Sequence, residues 1–310
     1  MSYLVTGLSG FVGQHLLDRL ARSGARVHGI TRRPFRDPRV AESFVGDLDA
    51  VDDIVAVLER VRPERIVHLA ASSSVGHSWH DPVGSFTNSA GIFLNLVEAV
   101  RRAGTDCRIL SVGSSEQYGA VGSDELPIAE DHLQGPESPY AVGRVSQEML
   151  ATMYQASFGL DIVMTRSFNH IGPGQDRRFV VPSFVGRLLD AKAGRGPSEV
   201  VTGDLSIVRD FLDVRDVVAA YERLLDEGVS GEVYNVCSGV GTSLETLFGI
   251  CAERVGVEPV QRTDPELVRP NEIRAIEGSF AKLAAATGWS PSIELSNTVG
   301  DIVDSMSASI

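Results

Sequence analysis

The chain has 310 residues, enough for one large α/β domain or for two domains on one polypeptide. Hydrophobic residues make up 43% of it and charged residues 22%, an ordinary composition for a protein with a buried core. The formal net charge of −13 at pH 7 argues against nucleic acid or an anionic membrane as the main partner. An anionic small substrate remains compatible with this charge if arginines gather around it.

The cysteines and the N-terminus indicate the compartment. Cys107, Cys237 and Cys251 are odd in number and widely spaced, which is typical of reduced, buried thiols in a cytosolic protein. The chain enters an apolar run at Tyr3 with no basic segment before it, so no signal peptide is evident. No uncharged apolar stretch approaches the ~18 residues of a membrane span. We expect a cytoplasmic protein.

Short apolar runs alternate with amphipathic segments in the first half of the chain. The predicted strands cover residues 3–6, 26–30, 65–70, 107–112 and 161–166. The predicted helices cover residues 13–23, 51–61, 83–103 and 139–158. This alternation predicts the α/β class, with a doubly wound parallel sheet of the Rossmann type.

The alternation loosens after residue 167. Helices are expected over residues 179–193 and 214–225, and a short apolar strand over 232–236 rejoins the sheet; short helices and loops are expected for the remainder. We therefore predict a Rossmann domain from residues 1–167 and 211–237. A smaller mixed α/β lobe for the substrate, residues 168–210 and 238–310, would cover the carboxyl edge of the sheet.

A glycine-rich loop joins the first strand to the first helix. Gly7 permits a tight turn, Gly10 lets backbone approach a pyrophosphate, and Gly13 lets the helix pack on the strand. The helix N-terminus adds free N–H groups and a partial positive charge. A plain glycine-rich turn is the alternative, but the position between strand and helix favours a dinucleotide site, with Phe11 and Val12 in the same loop.

The end of the second strand bears on which dinucleotide binds. An acid for the ribose hydroxyls is usual there in NAD sites, whereas this chain has Arg32 and Arg33. Two arginines favour the 2′-phosphate of NADP, with NAD still possible; the alternative is a solvated basic turn. Asp47, in the run Gly46-Asp47-Leu48, is expected near the adenine, although a loop aspartate is more often a helix cap.

Polar residues after the strand ending at residue 112 mark the reaction centre. Ser114 can hydrogen-bond a substrate carbonyl, and Glu116 can act as a base or bind a sugar hydroxyl. Tyr140 and Arg144 lie four residues apart on a predicted helix, which places phenol and cation on one face. A cation ~5 Å away at an effective dielectric of ~20 favours phenolate by roughly 3 kcal/mol. The alternative is a half-buried helix tyrosine beside an arginine whose charged end reaches solvent.

Together these elements resemble the extended short-chain dehydrogenase/reductase family, and within it the GDP-4-keto-6-deoxy-D-mannose reductases, over nearly the full length. The motifs that carry the resemblance are residues 112–119, 168–175, 209–216 and 234–239, with weaker ones at 269–272 and 287–289. The resemblance implies hydride transfer from NADPH to C4 of a GDP-4-keto-6-deoxyhexose, giving GDP-D-rhamnose. It also implies a homodimer formed through the helices near residues 83–103 and 139–158.

The resemblance assigns roles to individual residues. Tyr140 would protonate the alkoxide, Ser114 would hydrogen-bond the same oxygen, and Arg144 would replace the family's lysine at the nicotinamide ribose. Further coenzyme contacts are implied for Leu48, Leu69, Ala70 and Ala71. Substrate contacts are implied for Ser73, Asn88, Ser114, Glu116, Asn169, Val180, Gly203, Arg209, Arg269 and Glu272. Fork-shaped guanidinium groups such as those of Arg209 and Arg269 suit bidentate phosphate contacts.

Departures from the family pattern leave alternatives open. Gly143 and Arg144 replace the usual Ser-Lys, and Asp204 replaces an asparagine near the expected base. A dehydratase or epimerase of the same family would use the same serine, glutamate and tyrosine. A protein that binds NADP or a nucleotide-sugar without catalysis is the other alternative. No His/Cys/Asp cluster has metal-ligand spacing, so no metal is expected.

Overall fold

A seven-stranded parallel sheet forms the centre of the fold, in a computed structural model that describes residues 1–71, 75–197, 199–267 and 273–308. Its strands in chain order are β1 (Ser2–Thr6), β2 (Arg26–Thr31), β3 (Val40–Val45), β4 (Arg65–His68), β5 (Arg108–Ser114), β6 (Asp161–Ser167) and the tenth strand of the chain, β10 (Val233–Val236). The spatial order is tenth strand, β6, β5, β4, β1, β2, β3. The predicted return of the chain to the sheet after residue 231 is confirmed.

Helices cover both faces of this sheet. They are α1 (Phe11–Arg22), α2 (Val51–Val61), α3 (Val75–Ser78), α4 (Pro82–Phe86), α5 (Ile92–Ala103) and α6 (Pro139–Phe158). Leu16, Leu17 and Leu20 of α1 bury one face of the sheet, and Leu96 and Val97 of α5 bury the other. The two separate cores confirm the doubly wound class.

The sequence analysis missed one strand, and one of its predicted helices is interrupted in the structure. β3 lies at the sheet edge, where only one neighbour pairs with it, so its sequence needs no continuous apolar run and was not recognised as a strand. The helix predicted over residues 83–103 is interrupted by a π-helical turn, Thr87–Gly91, between α4 and α5. Such turns carry an extra residue and occur frequently at functional sites.

In the second region, the described residues form two small sheets and four helices of 12 to 14 residues. Its elements are β7 (Asn169–Ile171), α7 (Val180–Lys192), β8 (Glu199–Thr202), β9 (Val208–Asp213), α8 (Val214–Glu227), β10 (Val233–Val236), β11 (Gly241–Ser243), α9 (Leu244–Val255), β12 (Val260–Thr263), α10 (Ala281–Thr287) and α11 (Leu295–Ser307). Strands β11, β9 and β7 form one sheet, and β12 and β8 form the other. The expectation of only short helices after residue 237 was wrong, because α9 and α11 have 12 and 13 residues.

The second region has its own core between α7, α9 and α11. Phe184 and Phe248 meet edge to face, with ring centroids 5.2 Å apart. By contrast, α8 and the segment around Trp289 pack on the large sheet, and Trp289 Nε1 donates to the backbone oxygen of Asp216 at 3.2 Å. The division into two domains at residues 167/168, 210/211 and 237/238 stays a prediction.

No helix in the part of the chain that the structure describes is both long and apolar enough to cross a membrane.

Candidate active site

One cavity of about 2410 Å³ opens along the carboxyl edge of the large sheet and reaches into the second region. Small-molecule sites usually enclose roughly 300–1,000 Å³, so this cavity has room for a dinucleotide and a second ligand together. At one end the wall comes from the glycine loop and the ends of β2, β3 and β4, and at the other from α7, β8 and β9. The parallel strands therefore deliver their C-terminal residues to one continuous space.

The glycine loop at the first end fits a pyrophosphate. Gly7 adopts φ +73°, and a Cβ there would lie 2.9 Å from the backbone nitrogen of Ala70. A Cβ on Gly13 would lie 2.4 Å from the backbone oxygen of Leu8, so glycine lets α1 pack against the strand it follows. Gly10 precedes α1 and makes no side-chain cap, which leaves first-turn N–H groups for an anion.

Two cations stand at the rim beside this loop. Arg32 and Arg33 line the cavity and are exposed, and neither side chain has a hydrogen bond or ion pair to another described residue. Asp47, Leu48, Leu69, Ala70 and Ala71 line the same end, and their expected contacts with the coenzyme stay a prediction. Asn95 Nδ2 donates to the backbone oxygens of Leu48 at 2.8 Å and Asp49 at 3.1 Å, which holds this part of the wall.

Phe11 and Val12, predicted to contact the coenzyme, do not line the cavity. The Phe11 ring stacks on His170 with centroids 6.2 Å apart and planes 9° from parallel. Burial lowers the pKa of His170. Val12 packs against the core between α1 and the sheet. Both side chains therefore pack on other parts of the protein, Phe11 on His170 and Val12 on the core, and not on the cavity.

The Ser114–Glu116 turn closes strand β5 at the middle of the cavity. Glu116 lines the cavity, whereas Ser114 is buried; its Oγ accepts from the backbone nitrogen of Glu116 at 3.3 Å. The backbone nitrogen of Ser114 donates to Gln117 Oε1 at 2.9 Å. Gln117 Nε2 in turn donates to Glu148 Oε2 on α6 at 2.7 Å. The turn is thus tied to the helix that carries Tyr140.

Helix α6 begins where the sequence predicts, with Ser138 as its cap. Ser138 Oγ accepts from the backbone nitrogen of Ala141 at 3.1 Å, and Pro139 occupies the first helical position. Tyr140 follows in the first turn and is only 6% exposed. Its ring is therefore enclosed by protein, although Tyr140 does not itself line the cavity.

Arg144 lies one turn along and faces the Tyr140 ring, with 5.3 Å between its guanidinium carbon and the ring centroid. Its Nη1 donates to the backbone oxygen of Val112 at 2.8 Å and to Gln147 Oε1 at 2.9 Å, and its side chain is buried. Arg144 does not line the cavity. Its contacts direct the cation toward the sheet, and the implied contact with the nicotinamide ribose stays a prediction.

His68 occupies the same buried corner. Its Nδ1 lies 2.9 Å from Thr6 Oγ1, and the ring is fully buried. Burial, followed by the charge of Arg144, lowers the pKa of His68 to about 3. The histidine is therefore neutral beside a fixed cation and serves as a structural strand residue.

Five residues predicted to bind substrate line the cavity: Asn88, Glu116, Asn169, Val180 and Gly203. Arg209 lines it as well, and its Nη1 donates to the backbone oxygens of Val208 at 2.9 Å and Ile273 at 2.8 Å. Asp204 is engaged elsewhere, because its Oδ1 accepts from the backbone nitrogen of Ser206 at 2.9 Å and its carboxylate pairs with Arg274. Ser73, Arg269 and Glu272 lie outside the described residues.

Several cavity residues were missed by sequence reasoning, notably Ser85, Glu137, Arg178, Ser183 and Arg187. Glu137 directly precedes Ser138, the cap of the helix that carries Tyr140, so its nearness in sequence to Tyr140 could have marked it as a site residue. The others sit on helices or loops whose cavity face depends on how distant segments pack. In the described ranges, no group of three or more His, Cys, Asp or Glu could hold a metal ion.

Comparison with known proteins places this site among nucleotide-sugar enzymes. The sequence model of the GDP-mannose 4,6 dehydratase family matches residues 4–302. The chain is 35% identical to a GDP-6-deoxy-D-mannose reductase of Pseudomonas aeruginosa, covering 96% of this chain and 95% of the relative. It is 33% identical to a UDP-glucose 4-epimerase of Mycolicibacterium smegmatis, covering 98% of each.

Solved structures agree with the sequence relatives. The P. aeruginosa structure titled RMD complexed with NADPH superimposes with a TM-score of 0.90 at 33% identity, covering 100% of this chain and 99% of that one. A UDP-glucose 4-epimerase of Thermus thermophilus in complex with NAD gives a TM-score of 0.89 at 29% identity, covering all of both chains. On its sequence, fold and site, the chain belongs to the GDP-mannose 4,6-dehydratase-like family of extended short-chain dehydrogenases/reductases.

Proposed function

We propose that this protein reduces the C4 keto group of a GDP-4-keto-6-deoxyhexose to give a GDP-6-deoxyhexose such as GDP-D-rhamnose, with NADPH as coenzyme. The observation that carries this proposal is the Arg32–Arg33 pair at the coenzyme end of the cavity. These unpaired cations suit a 2′-phosphate, and a reductase consumes its reduced coenzyme at every turnover. The similarity to the P. aeruginosa reductase supports the same reading.

The residues around β5 and α6 would then handle the proton. The coenzyme, when bound, supplies the hydride that reduces C4. Tyr140 gives its phenolic proton to the C4 oxygen, which becomes the new hydroxyl, and Ser114 donates a hydrogen bond to the same oxygen. Arg144, packed on the ring of Tyr140, favours the phenolate that remains until solvent returns the proton.

The far end of the cavity suits the diphosphate and the nucleoside. Arg178, Arg187 and Arg209 line it, and their positive charge would favour an anionic ligand there in a protein of net charge −13. Asn169 and Asn88 would contact the sugar between this end and Tyr140. Ser73, Arg269 and Glu272 remain proposed contacts from the family resemblance.

One observation favours a second activity, 4,6-dehydration or epimerisation. Glu116 brings a carboxylate to the cavity wall beside Ser114, and a dehydratase needs a base at this place whereas a simple reductase does not. A dehydratase also recycles its bound coenzyme. The two activities therefore differ in whether NADPH is consumed.

The experiment supplies purified protein with GDP-4-keto-6-deoxy-D-mannose and follows NADPH absorbance and the product by NMR. We expect one NADPH oxidised per GDP-sugar reduced, and Tyr140→Phe should lower the rate roughly 100- to 10,000-fold while still binding NADPH. A parallel incubation supplies GDP-mannose, and loss of water from GDP-mannose with no net NADPH oxidation would instead establish the dehydratase.

A non-catalytic binding protein gives a third outcome. If Arg144 only substitutes weakly for lysine, Arg144→Lys should raise turnover with little change in NADPH affinity. No turnover in either form, with coenzyme binding intact, would contradict the enzyme proposal.

We also propose a homodimer in the cytoplasm. Large apolar side chains are exposed along α4, α5 and α6: Val83, Phe86, Leu94, Met149, Met153 and Phe158. A second copy that covers these helices would remove that surface from water. The three cysteines are free and buried, as is usual in a reducing compartment.

A further inference from the structure

Two serine hydroxyls beside the cavity lack hydrogen-bond partners among the described residues. Ser85 of α4 is 3% exposed and Ser89 of the π-helical turn is fully buried, and the Oγ of each is unpaired. Buried polar groups are nearly always hydrogen-bonded, so each exception calls for a reason. The two differ in one respect that matters: Ser85 lines the cavity, whereas Ser89 does not.

The turn that carries Ser85 is held from its N-terminal side. The Asp81 carboxylate caps α4, with Oδ1 accepting from the backbone nitrogen of Gly84 at 2.9 Å, and Pro82 occupies the first position. A Cβ on Gly84 would lie only 2.1 Å from Asp81 Oδ2, so glycine lets the carboxylate fold across the turn. Ser85 follows Gly84 in α4, so the Asp81 cap also holds the backbone of Ser85 in place.

The same turn is pressed against the helix of Tyr140. A Cβ on Gly143 of α6 would lie 2.9 Å from Ser89 Cβ and 3.6 Å from the Cα of Phe86. The glycine that replaces the family's usual serine thus allows α4 and the π-helical turn to approach α6 closely. Ser89 packs against α6 at Gly143, whereas Ser85 lines the cavity.

Asn88 extends the polar surface around Ser85. It lines the cavity one turn further along, and its Nδ2 donates to the backbone oxygen of Gly84 at 2.8 Å. Its Oδ1 accepts no hydrogen bond from a described residue. A hydroxyl donor and a carbonyl acceptor one turn apart match a sugar ring, whose hydroxyl groups both accept and donate.

We propose that Ser85 is a ligand-binding residue whose hydroxyl hydrogen-bonds a sugar hydroxyl in the cavity, beside Asn88. That hydroxyl belongs either to the hexose of a nucleotide-sugar or to a ribose of the coenzyme. The hexose source rests on the proposed function. The ribose source requires only that the dinucleotide binds.

The test compares Ser85→Ala with the matched control Ser89→Ala. Each variant removes one buried, unpaired hydroxyl from neighbouring turns, so neither should lower the urea midpoint of unfolding. Affinities are measured with NADPH by fluorescence titration and with GDP-mannose by calorimetry. Ser85→Ala should weaken one of the two ligands about three- to tenfold, the range expected for one neutral hydrogen bond, and Ser89→Ala neither.

The two ligands identify the source. Weaker NADPH binding alone assigns the hydroxyl to the coenzyme ribose, and weaker GDP-mannose binding alone assigns it to the hexose. Unchanged affinity for both ligands, or an equal loss in Ser89→Ala, would overturn the proposal. If the wild-type protein fails to reduce any GDP-4-keto sugar, the proposed function fails, yet the NADPH titration still decides the role of Ser85.

Discussion

The cavity places arginines in two contrasting settings. At the coenzyme rim, Arg32 and Arg33 are exposed and have no partner among the described side chains. In the corner behind the cavity wall, Arg144 is 6% exposed and bonded to the Val112 backbone oxygen and Gln147. The rim charges are available for a ligand. The corner charge is already committed to the protein.

The buried setting of Arg144 offers a structural reason for arginine at a position where lysine is usual in the family. A planar guanidinium with several donors can satisfy a backbone carbonyl and a neighbouring amide at once, which a compact ammonium does less well. Arg144 therefore lies on the interior side of Tyr140, against the face of its ring. Because Arg144 lies in this buried corner, its charge also lowers the pKa of His68 and helps to keep that ring neutral.

Arg144→Met should produce the largest effect in this comparison. The backbone oxygen of Val112 and Gln147 Oε1 would lose a charged donor in a buried place, so we expect the free energy of unfolding to fall by about 2–4 kcal/mol. Urea unfolding measures the loss. Arg36→Met, at an exposed position outside this cavity, is the control and should change stability by less than about 0.5 kcal/mol.

The turnover of the Arg144→Met protein should fall at least tenfold under conditions where it remains folded, since the phenolate loses a neighbouring buried cation. Equal stability of Arg144→Met and the wild type would show that the two hydrogen bonds of the corner do not form in solution.

Substitutions of the two rim arginines should change the preference for NADPH over NADH and leave the free energy of unfolding unchanged. Replacing Arg32 and Arg33 together by glutamine should weaken NADPH binding roughly tenfold to a hundredfold, the loss expected for charge-assisted contacts, and leave NADH binding nearly unchanged. Arg36→Gln is the matched control, because Arg36 is equally exposed but does not line the cavity. Parallel weakening of NADPH and NADH would mean that the two arginines do not contact a 2′-phosphate.

The smallest effect should come from the pH dependence of the buried corner. The pKa of His68 is lowered to about 3 by burial and then by Arg144, whereas the unfolded chain takes up this proton near pH 6.5. The unfolded state then binds more protons, so the His68 contribution is complete above pH 6.5 and is lost as the pH falls below it. This loss should reach about 1 kcal/mol between pH 7 and pH 5.5.

Urea midpoints of the wild type and of His68→Asn across this range isolate the histidine, because asparagine does not titrate there. The wild type should lose stability more steeply toward acid. Parallel curves would contradict the assignment.

Local pattern was enough for much of the fold. The alternation of apolar strands and amphipathic helices predicted the parallel sheet, and the return of the chain near residue 233 was confirmed. The edge strand β3 and the longer helices α9 and α11 were missed. An edge strand is paired on one side only, and the helices of the second region bury faces against one another that no single segment reveals.

The site residues also fall into those that local sequence predicts and those that depend on tertiary packing. Gly7, Gly10 and Gly13 were recognisable because neighbours in the chain build the phosphate loop, and Tyr140 and Arg144 because one helical turn separates them. Sequence by itself therefore determined the loop, the strand ends and the spacing of phenol and cation. Only the tertiary structure decided that Arg144 bonds to the Val112 backbone and that Ser85, and not Ser89, lines the cavity. These outcomes depend on contacts between segments far apart in the chain, where a glycine such as Gly143 sets how closely two helices approach.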